Sequence, residues 1–241
     1  MATQLTQETR RWRLVEAAGL AGVGVMQFAS MATNPEEIPF GLVSGVLFLA
    51  LGGAVWRWIE RPRVALAAAA LMSLVLLSGI PYIVGDLSHL ESWGSFAPAA
   101  VSLVVGLAGA AAGFISFFAP ETQGSRPLAI AAGALSIVLV VASVGASVSA
   151  TSDAAQLNDV QLLAEGLEYP EVLEARAGLI GFHVANRDQV RHTFVIEGTN
   201  VRLEVPASKE RRVEVELAVG EYEFRCDVPG HERMEGVLTV R

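Results

Sequence analysis

The run Cys226-Asp227-Val228-Pro229-Gly230-His231-Glu232-Arg233-Met234-Glu235-Gly236 decides how the C-terminal third of this 241-residue chain is read. A thiol, an imidazole and a thioether fall inside it, and Pro229-Gly230 marks a tight turn between them. Cys226 is the only cysteine, so the chain has no disulfide framework of its own. A lone exported thiol is reactive unless something holds it. A second imidazole, His192, stands upstream behind Asn186-Arg187-Asp188-Gln189-Val190-Arg191.

Outward from these residues the pattern is that of short strands. Runs rich in β-formers occupy 160–163, 172–175, 179–185, 193–196, 201–205, 211–217, 221–225 and 236–240. Turn residues separate them: Tyr169-Pro170, Ala177-Gly178, Asn186-Arg187-Asp188, Glu197-Gly198 and Val219-Gly220. Val213-Glu214-Val215-Glu216-Leu217 alternates as a strand with one buried and one wet face does. Eight short strands predict an all-β antiparallel sandwich with Greek-key links. Cys226 would end one strand and Gly236 begin the next, so the turn between them presents Cys226, His231 and Met234 to one point. His192 would reach it from a distant loop. His183 lies between core-facing Phe182 and Val184 and is expected to face solvent.

The rest of the chain reads differently. Hydrophobic residues make up 52% of the composition, and mean hydropathy is +0.46. Five apolar stretches, at 14–31, 38–59, 64–84, 96–118 and 127–149, approach the ~20 residues that cross a bilayer. They are rich in small residues, as in Ala67-Ala68-Ala69-Ala70, which let helices approach closely in lipid. The first span is the weakest: it holds Glu16 and Gln27, and Glu16 is expected near an end, with its charged head at the interface. Arg10, Arg11, Arg13, Arg57, Arg61, Arg63 and Arg126 all fall on one side of the five spans; the alternate loops carry Glu36, Glu37, Asp86 and Glu91. Positive residues stay cytoplasmic, which puts the N-terminus inside and the C-terminus outside the cell membrane. Trp56, Trp58, Tyr82 and Trp93 sit near span ends, as an aromatic belt would. Span one serves as the export signal, with no clear cleavage site beside it. The expected division is a cytoplasmic tail at 1–13, a transmembrane helical bundle at 14–149, a linker at 150–157 and a β-domain at 158–241.

Residues 158–241 carry more acids than bases, which argues against nucleic-acid binding and suits a cationic partner. No Gly-rich phosphate loop, Ser/His/Asp grouping or metalloprotease motif is present. Two imidazoles, a thiolate and a weak axial thioether are the ligand set of a blue-copper site. His89 is expected in an outer loop. No histidine lies within a predicted span, so the bundle lacks the pair a bis-histidine haem needs. Met26, Met31 and Met72 read as packing or lipid-facing residues.

Residues 158–241 resemble the cupredoxins, the family of plastocyanin and azurin. The resemblance includes Glu168-Tyr169-Pro170, the Ala177-Gly178 turn, Asn186 ahead of the first His, Tyr222-Glu223-Phe224 before the Cys, and Met234-Glu235-Gly236-Val237-Leu238-Thr239-Val240. It implies one type 1 copper held by His192, Cys226, His231 and, axially, Met234. Two features depart from the pattern. Only two residues separate His231 from Met234, where members often have three or four. Thr193 follows the first His, where many members have Asn; its hydroxyl is expected to brace the ligand loop. The binuclear copper site of cytochrome oxidase subunit II has similar spacing and needs two cysteines, which this chain lacks.

The resemblance implies a membrane-anchored electron carrier on the outer face. Its partner would be a membrane or extracytoplasmic redox protein: an oxidase, a reductase or a quinol-oxidising complex. The alternative is a copper-binding or delivery module attached to a membrane scaffold or transporter. Four protein ligands leave no open position for substrate, so an enzyme is not expected. The ring edge of His231 is expected to reach the surface near Val228 and Pro229 and to pass the electron.

Overall fold

A long apolar run keeps its backbone polar groups satisfied only by closing them on itself, and the apolar runs in the first part of the chain do this as helices. The computed structural model describes residues 6–33 and 38–241. Glu36 and Glu37 lie outside the described residues. The helices are α1 (Gln7–Thr33), α2 (Ile38–Arg57), α3 (Pro62–Ser78), α4 (Ile80–Leu87), α5 (Trp93–Phe118) and α6 (Ser125–Ser149). By length and composition α1, α2, α5 and α6 are each able to cross a membrane; α3 and α4 are so only as a pair bent by 61°. The third expected span is therefore broken. Pro81, in the first turn of α4, has no N–H to continue the ladder, and it disfavours helical geometry at Ile80 before it.

Small residues set the packing of the bundle. A methyl group at Gly19 would lie 2.6 Å from the Val105 carbonyl oxygen and 2.8 Å from Gly109 Cα, so α1 and α5 meet backbone to backbone. Leu20, Phe48, Val55 and Met72 fill the interior. Phe40, Val43, Trp56, Tyr82, Ile130 and Val148 stand exposed, an apolar exterior that suits lipid better than water. Glu16 does not reach an interface. It lies in the third turn of α1, fully buried. Its carboxylate is seated where a Cβ on Gly113 of α5 would otherwise go.

The second part of the chain forms β1 (Val160–Ala164), β2 (Val172–Ala175), β3 (Gly178–Asn186), β4 (His192–Ile196), β5 (Arg202–Val205), β6 (Glu210–Leu217), β7 (Gly220–Arg225) and β8 (Glu235–Val240). Each matches an expected run to within a residue at either end. They make a three-stranded sheet, β1-β3-β6, and a five-stranded sheet, β2-β8-β7-β4-β5. The sandwich is not wholly antiparallel, since β1 pairs with β3, and β2 with β8, in parallel. Because β2 crosses to the other sheet, β3 returns beside β1 running the same way. Between the sheets, Phe182, Phe194 and Phe224 form a chain of rings with centroids 5.2 and 5.7 Å apart. Each such side chain, fully buried, contributes ~1.5–3 kcal/mol.

Residues after α6 are tied to this sandwich. Asp153 N donates to the Glu210 carbonyl oxygen (2.9 Å), and Arg212 N donates to Asp153 Oδ2 (3.0 Å). This explains why His183 is buried and not solvent-facing. Alternation does point it away from the core, but Gln161 and the linker cover it: His183 Nδ1 lies 3.0 Å from Gln161 Oε1, and Nε2 lies 3.2 Å from the Asp153 carbonyl oxygen.

Candidate metal centre

Strand pairing brings two distant parts of the sequence together. β7 pairs with β4 on one side and with β8 on the other, Val195 opposite Arg225 and Arg225 opposite Glu235. His192 opens β4, Cys226 follows β7 and Met234 precedes β8. The segment between β7 and β8 closes on itself: Cys226 N donates to the Met234 carbonyl oxygen (2.8 Å), His231 N to that of Val228 (3.1 Å) and Met234 N to that of His231 (3.0 Å). Gly230 supplies the turn with φ +90°, a left-handed conformation that costs glycine least.

One nitrogen of each imidazole and the thiol sulfur lie within 4.8 Å of one another, all on buried residues. His192 Nδ1 and His231 Nδ1 are 3.1 Å apart, and Cys226 Sγ is 3.6 Å from His231 Nδ1. Metal–imidazole and metal–thiolate bonds run at about 2.0 and 2.3 Å for zinc, so one ion of that size reaches all three atoms. His192 is 0% exposed, His231 2%, Met234 1% and Cys226 5%.

Neighbouring groups prepare these atoms. His192 Nε2 lies 2.8 Å from Asp188 Oδ2. A carboxylate there accepts a hydrogen bond from Nε2–H, which keeps the proton on Nε2 and leaves Nδ1 free to bind metal. Asp188 is itself held by the N–H groups of Gly166 (2.8 Å) and Leu167 (3.1 Å). Burial pushes the Cys226 thiol up; hydrogen bonds with His192 and His231, the charge of His231 and the Thr193 N–H outweigh it and bring the thiol down to about 5. Burial likewise opposes charge on His192, and Asp188 and Cys226 overcome it, so its pKa rises. A thiolate at neutral pH is the form that binds a metal.

Residues 135–240 match the family model described as a cupredoxin-like domain. The C-terminal domain has the cupredoxin fold. Among solved structures, a mutant amicyanin in its Cu(I) form is 15% identical over 39% of this chain and 95% of its own, with a TM-score of 0.31. Amicyanin from Paracoccus versutus is 15% identical over 36% of this chain and 85% of its own, with a TM-score of 0.30. The Cu-containing nitrite reductase from Thermus scotoductus SA-01 is 19% identical over 39% of this chain and 24% of its own, with a TM-score of 0.29. No curated protein matches the chain.

Within the cupredoxin domain, His192, Cys226 and His231 form one cluster, and Met234 sits buried at the end of the same turn. One expectation fails: the His231 ring does not reach the surface. Pro229 and Gly230 are exposed and Val228 half-buried, while His231 itself is buried. His89 is half-exposed, and Met72 packs in the bundle interior. Asn186 shapes the loop that delivers His192, its Nδ2 lying 2.8 Å from the Val190 carbonyl oxygen and 3.0 Å from that of Pro206. Sequence reasoning gave no role to Asp188, Asp227 or Arg202. An acid four residues before the first imidazole and an acid directly after the cysteine were the available signals.

Proposed function

We propose that the chain is a membrane-anchored type 1 copper protein that carries single electrons at the outer face of the membrane. His192 Nδ1, Cys226 Sγ and His231 Nδ1 would hold the metal, with the Met234 thioether as a fourth, weaker donor. Copper supplies a one-electron couple. The chain's residues do the rest. Asp188 fixes the His192 tautomer, the closed turn holds Cys226 and His231 in register, and burial keeps bulk water from the donors. The observation that carries the reading is the convergence of two imidazole nitrogens and a cysteine sulfur in a buried cluster of a cupredoxin fold. The His₂Cys set with an axial Met belongs to electron-transfer copper sites. Apolar helices able to span a bilayer would anchor the domain, and the one-sided arginines favour a position outside. The partner we infer is an oxidase, reductase or quinol-oxidising complex.

The test is spectroscopic. The full chain in detergent, loaded with Cu(II), should show intense thiolate-to-copper charge transfer, cycle reversibly between Cu(II) and Cu(I), and lose its colour in Cys226→Ser. A colourless Cu(II) complex with ordinary hyperfine splitting would reject the type 1 site. A protein that keeps Cu(I) and sheds Cu(II) would be a delivery module.

A further inference from the structure

Thr193 follows His192 and lies against the sulfur of Cys226, and its hydroxyl has one proton and two acceptors in reach. Asp227 Oδ1 is 2.7 Å from Thr193 Oγ1, and Cys226 Sγ is 3.5 Å away. The oxygen itself accepts from Asp227 N at 2.8 Å. The short contact to a charged oxygen takes the proton, because charge-assisted hydrogen bonds are shorter and stronger than those to a distant sulfur. Asp227 cannot turn away: Arg202 grips it with Nε on Oδ2 (2.9 Å) and Nη2 on Oδ1 (3.1 Å). The sulfur therefore receives from Thr193 the backbone N–H, at 3.4 Å, and not the hydroxyl.

We propose that Asp227, fixed by Arg202, is a positioning residue that draws the Thr193 hydroxyl proton away from the Cys226 sulfur and so keeps the potential of the bound metal low. The inference rests on the copper reading above. Hydrogen bonds around the cysteine sulfur tune the potential of such sites. A proton donated to the thiolate withdraws electron density from it. Donation to the oxidised metal falls, the reduced form gains, and the thiolate-to-metal charge-transfer band moves to higher energy. Removing the acceptor at residue 227 frees the hydroxyl to turn to the sulfur.

Three variants of the full-length protein in detergent separate this from a plain charge effect. Asp227→Asn removes the negative charge and keeps an acceptor oxygen, which Arg202 still orients. Asp227→Ala removes charge and acceptor together. Thr193→Val removes the hydroxyl and keeps the backbone N–H. Asp227→Ala should raise the potential further than Asp227→Asn does and shift the band to higher energy, while Asp227→Asn leaves the band in place. In a Thr193→Val background the two substitutions should become equal, and Thr193→Val alone should leave the band unmoved. Equal effects of Ala and Asn in the native background would overturn the proposal. So would a band moved to lower energy by Thr193→Val, which would mean that the hydroxyl already serves the sulfur. Absence of any charge-transfer band in the unmutated protein would instead reject the copper–thiolate site, and this inference with it.

Discussion

At the residue scale, most of the site is a matter of donor chemistry, and donor chemistry is legible in sequence. His192, Cys226, His231 and Met234 stand out because a thiol, two imidazoles and a thioether occur in an order that few other needs explain. Asp188, Asp227 and Arg202 do not stand out, since an acid or an arginine is ordinary on a β-sandwich surface. Their roles depend on loop path: Asp188 matters because Gly166 and Leu167 aim it at His192 Nε2. His183 fails for a related reason, since alternation gives the face of a strand but not what covers that face. The lowered thiol of Cys226 carries a prediction with a definite sign. A depressed folded-state pKa contributes stability that is complete above the unfolded value, ~8.5, and is lost as pH falls through about 5. In the metal-free protein the ultraviolet absorbance of the thiolate should therefore titrate near pH 5. A midpoint near the unperturbed value would show that the imidazoles do not stabilise the thiolate.

Single elements were legible where local pattern decides them. All eight strands follow from β-rich runs broken by turn residues, because turn chemistry is local. The parallel pairing of β1 with β3 was not legible, since it depends on where β2 goes, and nothing in β1 or β3 records that. The bend between α3 and α4 was present in the sequence as Pro81, but apolar composition alone runs straight through it. The turn between Cys226 and Met234 is the element on which the axial position depends. Its short His231–Met234 link folds inward because Met234 N bonds back to the His231 carbonyl oxygen while its own carbonyl accepts from Cys226 N. Those bonds leave the side chain buried in the sandwich core. An amide oxygen is a harder donor than a thioether and favours Cu(II), whereas an alkyl chain donates nothing. Met234→Gln should lower the potential and Met234→Leu raise it, each by at least a tenfold change in the preference between oxidation states, about 59 mV for one electron. Film voltammetry on both variants reads this directly, and two unchanged potentials would remove Met234 from the ligands.

For the whole molecule, two physical regimes divide one chain. The helical part presents apolar side chains outward and joins its helices through glycine contacts, a design for a solvent without a hydrophobic drive between helices. The sandwich keeps its apolar residues between two sheets, the arrangement that water enforces. The change between them falls after α6, where residues 151–153 already hydrogen-bond along β6. In the proposed topology, charge sets which side of a membrane the sandwich occupies. All seven arginines of the first 150 residues lie in the N-terminal part of α1, at the junction of α2 and α3, or in the first turn of α6. Holding them in the cytoplasm requires α3 and α4 to serve together as one span, despite the bend. With five crossings the C-terminus lies outside; with four it lies beside the arginines. An enzyme reporter that is active only outside the cytoplasm should work when fused after Arg241, and one active only inside should work when inserted beside Arg61. If only the inside-active reporter works at both positions, the bent pair does not cross. The single thiol would then face a reducing compartment, and the electron-carrying role at the outer face would have to be abandoned.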